Sequence, residues 1–205
     1  MNFDFDLYNL VLSEISARIA SDQLIIEDVI NNSNTNLSKV KTSQLISRNK
    51  CHIFMLSELI FIGRHKSELG LKNTSLIDSI QKASKIFDSR LIEIETAREK
   101  PLVDVIGEKS VLVGVIKILL SMLILESPTI KKLKISFRRR GDFVTVKLIG
   151  GKSIDTKLFY RDFERLLNNI LCDYSSTVRF TIKSSTRQVF LRMHLSNQIS
   201  IGYNK

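Results

Sequence analysis

From about Phe5 to Asn32, Leu12, Ile15, Ile19, Ile26 and Ile30 recur at intervals of three, four and seven, which gathers them on one face of an α-helix. Glu14, Arg18, Ser21 and Asp28 fall opposite. At about 100° per residue, Ser21 points roughly 150° from the centre of the apolar stripe, which predicts that it is exposed. The polar run NNSNTN, 31–36, breaks the pattern. A second helix is predicted from about Ser38 to Gly63, with Ile46, Ile53, Leu56 and Ile60 on one face. Two helices of about 25 residues, each about 40 Å long, form a hairpin that cannot cover its own apolar stripes. A homodimeric four-helix bundle is the expected solution.

Around HKSELGLKN, 65–73, helical periodicity stops, and the chain divides into 1–68 and 69–205. The second part is mixed: a short helix SLIDSIQKASKIF, a strand LIEIE, and an apolar helix from about Lys109 to Glu126 stopped by Ser127-Pro128. Strands KLKISF and FVTVKLI, a helix from about Asp155 to Leu171, and strands VRFTIKS and QVFLRMHL follow. The predicted class is α+β: a helical hairpin, then an α/β sandwich with helices on one face of a mostly antiparallel sheet.

With 205 residues, 43% of them hydrophobic, the chain can bury a proper core. No run reaches the roughly 18 apolar residues that span a bilayer, and the start, MNFDFDLYN, is acidic where a signal peptide is basic, so a cytoplasmic protein without membrane attachment is expected. Cys51 and Cys172 belong to no CxxC or Cys/His cluster; both read as buried, inert thiols, and no metal is expected. The net charge of +10 calls for an anionic partner. Its densest segment is KKLKISFRRR, 131–140, where Lys131, Lys132 and Lys134 alternate with Leu133, Ile135 and Phe137 before an arginine-rich turn, Arg138–Arg140. Without a recognition helix, zinc finger or aromatic RNP motif beside it, this reads as a solvated hairpin, and no nucleic-acid partner is expected. A nucleic-acid or membrane-surface binder using this hairpin stays open as the alternative function.

The order of elements from about Leu71 to Leu195, after a helical hairpin, resembles the dimerisation and ATP-binding halves of sensor histidine kinases. That resemblance implies asparagines for magnesium and phosphate on the 109–126 helix, where Ile118 and Met122 stand instead. Alkyl and thioether groups do not serve a hard cation that demands oxygen. The turn that would read adenine is Gly150-Gly151-Lys152-Ser153, without a carboxylate; the glycine pair reads as a tight turn at a strand end. No nucleotide cofactor and no ATP-dependent kinase activity are expected. The first helix is more specifically similar to ChpT-type histidine phosphotransferases, whose box [AS]-R-[LI]-x-H-D precedes an Ile-Asn-Asn run. The matching residues are Ala17, Arg18, Ile19, Ala20, Ser21 and Asp22, then Ile30, Asn31 and Asn32. LSELIFIGR, 56–64, and ILLSMLILESP, 118–128, extend the similarity.

The resemblance places Ser21 where the family carries its phosphoacceptor histidine. Imidazole is a neutral nitrogen nucleophile near pH 7, whereas a serine hydroxyl is unactivated without a base and its phosphate ester is too stable to pass on. Relay through position 21 is therefore not expected, with Asp22 at most a weak base. His52, near the axial level of Ser21 when the hairpin folds, is the fallback acceptor, though half-buried on the flank of its helix. His65 and His194 read as incidental, and no Ser/His/Asp set supports hydrolysis. The resemblance implies a phosphorelay component that docks receiver domains of response regulators and of a hybrid kinase, with Arg18, Ser21, Asp22 and Ile25 lining the docking surface.

Overall fold

The computed structural model describes residues 4–32, 36–65, 72–87, 92–95, 103–124, 133–152, 157–183 and 186–196. Lys131, Lys132, Ser153 and most of the 65–73 junction lie outside them, as does the side chain of His65. Helix α1, Phe5–Asn32, begins where Asp4 accepts a hydrogen bond from the Leu7 amide at 2.9 Å, satisfying one of the donors a helix start leaves open. Helix α2, Asn36–His65, folds back along it. The antiparallel strands β1, Asn73–Ser75, and β3, Asp104–Ile106, form a two-stranded sheet that the periodicity did not announce. Between them lie α3, Leu76–Ser84, capped by the Ser75 hydroxyl, and β2, Ile92–Glu95.

Helix α4, Lys109–Ile124, strands β4, Leu133–Arg140, and β5, Phe143–Lys152, helix α5, Lys157–Leu171, and strands β6, Thr177–Lys183, and β7, Thr186–His194, complete the fold. The main sheet has the order β2-β4-β5-β7-β6, antiparallel except where β2 runs parallel to β4. Its inner face is built by alternation: Leu133, Ile135, Val144, Val146, Leu148, Val189, Leu191 and Met193 are all buried. Helix α4 is apolar around most of its circumference because it packs against α2, α3 and β5.

Two local expectations change. Arg138–Arg140 belong to β4, paired as far as Arg140↔Phe143, and the turn is Gly141-Asp142 alone, with Gly141 at φ 57°. Gly150 is no turn glycine: it lies within β5, where the pairing with β7 shifts register after Ile149. A Cβ there would stand 2.8 Å from Leu123 Cδ2 on α4, so this position is held to glycine by close strand–helix approach.

The hairpin is fused to this sandwich at its open end. Leu7, Val11 and Ile15 of α1 and Met55, Leu59 and Ile62 of α2 share one apolar cluster with α4 and the sheet. Gly114 of α4 lets Ile62 approach, Lys117 Nζ meets Glu58 Oε1 at 2.6 Å, and the Asp4 amide donates to Asn169 Oδ1 at 3.1 Å. Toward its closed end the hairpin leaves Leu24, Ile25, Ile30 and Ile46 exposed. No helix among the described residues is long and apolar enough to cross a membrane.

Candidate functional site

Asp22 turns inward from α1 and meets two side chains of α2. Arg48 and His52 stand four residues apart, one helical turn, so both face the same carboxylate. Arg48 donates from Nε to Asp22 Oδ2 at 3.0 Å and from its Nη2 to Oδ1, a two-pronged pair that fixes both side chains in one plane. His52 Nδ1 lies 3.5 Å from Asp22 Oδ2, too long for a strong hydrogen bond. Asp22 is 3% exposed and His52 2%, while the Arg48 side chain remains 39% exposed. The buried carboxylate is thus held by a cation that reaches it from the rim. Asn49, also buried, places Nδ2 3.5 Å from the Ile19 carbonyl and adds a second polar link between the helices.

Ser21 is exposed, as its angular position predicts. The 100° step to the next residue carries Asp22 from the outer face to the flank that α2 covers. Asp22 is therefore not on the surface with Ser21; the structure removes it from the expected docking face and gives it to the interior. Its oxygens are engaged by Arg48 and approached by His52, so it does not activate the Ser21 hydroxyl. Arg18 is partly exposed and bonds Glu14 one turn earlier at 3.0 Å. Ile25 is 42% exposed and Leu24 68%. The outer face near Ser21 is thus a hydroxyl flanked by Arg18 and exposed aliphatic side chains.

His52 is more deeply placed than its half-buried expectation. At 2% exposure its ring is closed to a donor domain approaching from solvent. Cys51, its neighbour, is buried with Sγ 3.6 Å from Met55 Sδ, while Cys172 is only partly buried. His194 lies in β7, its ring edge-on to Phe143. Arg48 and Asn49 escaped the sequence reading, although the four-residue spacing of Arg48 and His52 opposite Asp22 carried the signal. In α4, Ile118 and Met122 are fully buried and present no oxygen. Among the described residues no group of three His, Cys, Asp or Glu is placed to hold a metal ion.

The sequence matches no family model and no curated protein. Its fold is similar to that of solved histidine kinases. Acinetobacter baumannii histidine kinase AdeS matches with a TM-score of 0.55 at 16% identity, over 90% of this chain and 98% of that one. Histidine kinase ThkA, in a complex with response regulator protein TrrA, matches with a TM-score of 0.54 at 15% identity, over 89% of this chain and 60% of that one. Full-length ShkA in complex with AMPPNP gives 0.54 at 11% identity, over 95% of this chain and 46% of that one. The hairpin and α/β sandwich are thus a histidine-kinase-like fold.

Proposed function

We propose that this chain is a histidine phosphotransferase-like component of a two-component phosphorelay, acting as a homodimer whose helical hairpin docks receiver domains without relaying phosphate through position 21. The observation that carries this is the split between neighbours: Ser21, which the resemblance aligns with the acceptor histidine, is exposed to solvent, while Asp22 is withdrawn onto Arg48 and His52. A hydroxyl with no base beside it accepts phosphate poorly and holds it as a stable ester. Docking needs only the surface around it, formed by Arg18, Ser21, Leu24 and Ile25. The fold shared with kinases, one of them solved with a response regulator, supports a receiver as the partner. Ile30 and Ile46, exposed toward the closed end and separate from the docking residues, supply the surface that a second hairpin would cover.

The test incubates the protein with a phosphorylated receiver and follows both binding and acid-labile label. Complex formation without label is expected, with Ser21→His gaining label. Stoichiometric label on His52 of the unaltered protein would overturn the reading, and so would failure to bind any receiver of its own cell.

A further inference from the structure

Helices α3, α4 and α5 lie to one side of the main sheet, and the strand residues that alternate with the buried set point to the other. On β4 these are Lys134, Ser136, Arg138 and Arg140; on β5, Phe143, Thr145 and Lys147. Strand β7 contributes Phe190, Arg192 and His194, and β6 contributes Arg179. The register sets them in rows across the strands. Ser136, Lys147, Phe190 and Arg179 form one row, Arg138, Thr145, Arg192 and Thr177 the next, and Arg140, Phe143 and His194 the last.

No Asp or Glu occurs in β4, β5, β6 or β7, and their Lys and Arg number ten. That equals the net charge of the whole chain, +10, so the remaining Lys and Arg balance every Asp and Glu elsewhere. Among the described side chains, six of these, Lys134, Arg138, Arg140, Lys147, Arg179 and Arg192, occupy outward positions. Asp142 stands in the turn beyond Arg140, and β2 brings Glu93 and Glu95 into register with Lys134 and Ser136 at the far edge. The centre of the face remains cationic.

Aromatic rings lie among these charges. The Arg192 guanidinium carbon sits 3.8 Å above the centroid of the Phe143 ring, and Lys147 Nζ lies 5.7 Å from that of Phe190. A depression of about 400 Å³ opens beside Phe190, lined also by Ser136, Phe137, Arg138, Arg140, Thr145 and Lys147.

We propose that this sheet face binds single-stranded nucleic acid without sequence preference. Bases stack on Phe190 and on the Arg192–Phe143 pair, and the phosphates are held by Arg138, Arg140, Lys147 and Arg179. Outward residues of one strand repeat every two positions, about 6.8 Å, a spacing suited to successive phosphates of an extended strand. Half-buried rings flanked by cations favour stacking over insertion into lipid. A broad sheet without a projecting helix does not enter a duplex groove. This face is separate from the hairpin surface proposed to dock receivers.

The experiment measures fluorescence anisotropy of a labelled oligothymidylate, about 12 nucleotides long, with the full chain. Binding that weakens steeply with salt is expected. Replacing Arg138 and Arg140 together by Glu should lower affinity at least tenfold and flatten the salt dependence. Phe190→Leu, which keeps volume but removes the ring, should lower affinity about tenfold at an unchanged salt slope and an unchanged melting curve. Absence of binding at low salt overturns the proposal. So does equal affinity for a duplex with no effect of Phe190→Leu, which would mark a mere polyanion surface. Preferential binding to phosphatidylserine vesicles, with the oligonucleotide failing to compete, would assign the face to membranes instead.

Discussion

Replacing Asp22 by Asn keeps shape and volume and removes only the charge. In the folded chain the substituted side-chain amide would bring an NH2 group toward Arg48 or His52 and retain a single acceptor. Removing one partner of a fully buried ion pair costs about 3–5 kcal/mol. Here the Arg48 side chain is 39% exposed and rehydrates, so the loss falls toward that of one charged hydrogen bond, about 2 kcal/mol. With a urea slope of about 2 kcal/mol/M, the unfolding midpoint should move down by about 1 M at fixed protein concentration. The pairwise part is isolated by the cycle with Arg48→Met, which should give a coupling energy of about 1–2 kcal/mol. Ser21→Ala, one residue away and exposed, should stay within about 0.5 kcal/mol of the parent. A coupling near zero, or a Ser21→Ala cost equal to that of Asp22→Asn, would refute the inward orientation of Asp22.

Gly150→Ala should destabilise by about 1–3 kcal/mol, because the new methyl meets Leu123 Cδ2 at 2.8 Å and the Leu123 carbonyl oxygen at 3.3 Å; thermal melting should show a midpoint about 2–10 °C lower. Tyr174 is buried beside Glu108 and Asp173, and burial first, then these carboxylates, push its phenol up to about 12, against an ordinary 10.0. The unfolded chain therefore loses this proton first, and stability is fully present below pH 10 and falls between about pH 10 and 12, by about 2 kcal/mol; Tyr174→Phe should flatten that alkaline limb in urea titrations. Ile30→Glu places a charge on a side chain that is 65% exposed in the single chain and on the face of α1 opposite Ser21, so it should leave the monomer fold intact by circular dichroism while shifting sedimentation from the proposed dimer to a monomer.

Both long helices and every strand of the main sheet were legible because each carries its own period over at least four residues. The pair β1 and β3 was not, because three residues are too few to show alternation. The exposure of Ser21 followed from one helix alone, since it depends only on the angle from that helix's stripe. The burial of Asp22 and His52 does not follow in that way. Each lies on the flank of its own helix, and which flank is covered depends on how α1 and α2 pair, a fact that neither helix contains. Arg48 was invisible for the same reason: an arginine on a helix is ordinarily solvated until a carboxylate on the neighbouring helix gives it a position. Gly150 misled differently, because a glycine kept for close packing and one kept for a turn look alike in sequence.

The basic hairpin at 131–140 was seen, yet its meaning lay in what stands beside it. From sequence it is one short run, whereas β7 and β6, some 50 residues later, extend its charge and add Phe190 and Arg192. This changes how the net charge bears on receiver docking. Helix α1 carries five carboxylates against Arg18, and α2 carries five Lys and Arg against Glu58, so the hairpin is close to neutral. The proposed docking is therefore not driven by the chain's overall charge, and would rest on exposed side chains such as Leu24 and Ile25. The two surfaces should separate by salt. If the four cations that hold phosphates, Arg138, Arg140, Lys147 and Arg179, all engage, the logarithmic slope is about −2.8, and a fourfold rise in salt weakens oligonucleotide binding roughly 50-fold. Receiver binding should change by less than about threefold over the same range, because screening acts on net charge and the hairpin has little. Parallel losses, or receiver binding abolished by the Arg138 and Arg140 reversal, would show that the two surfaces are one.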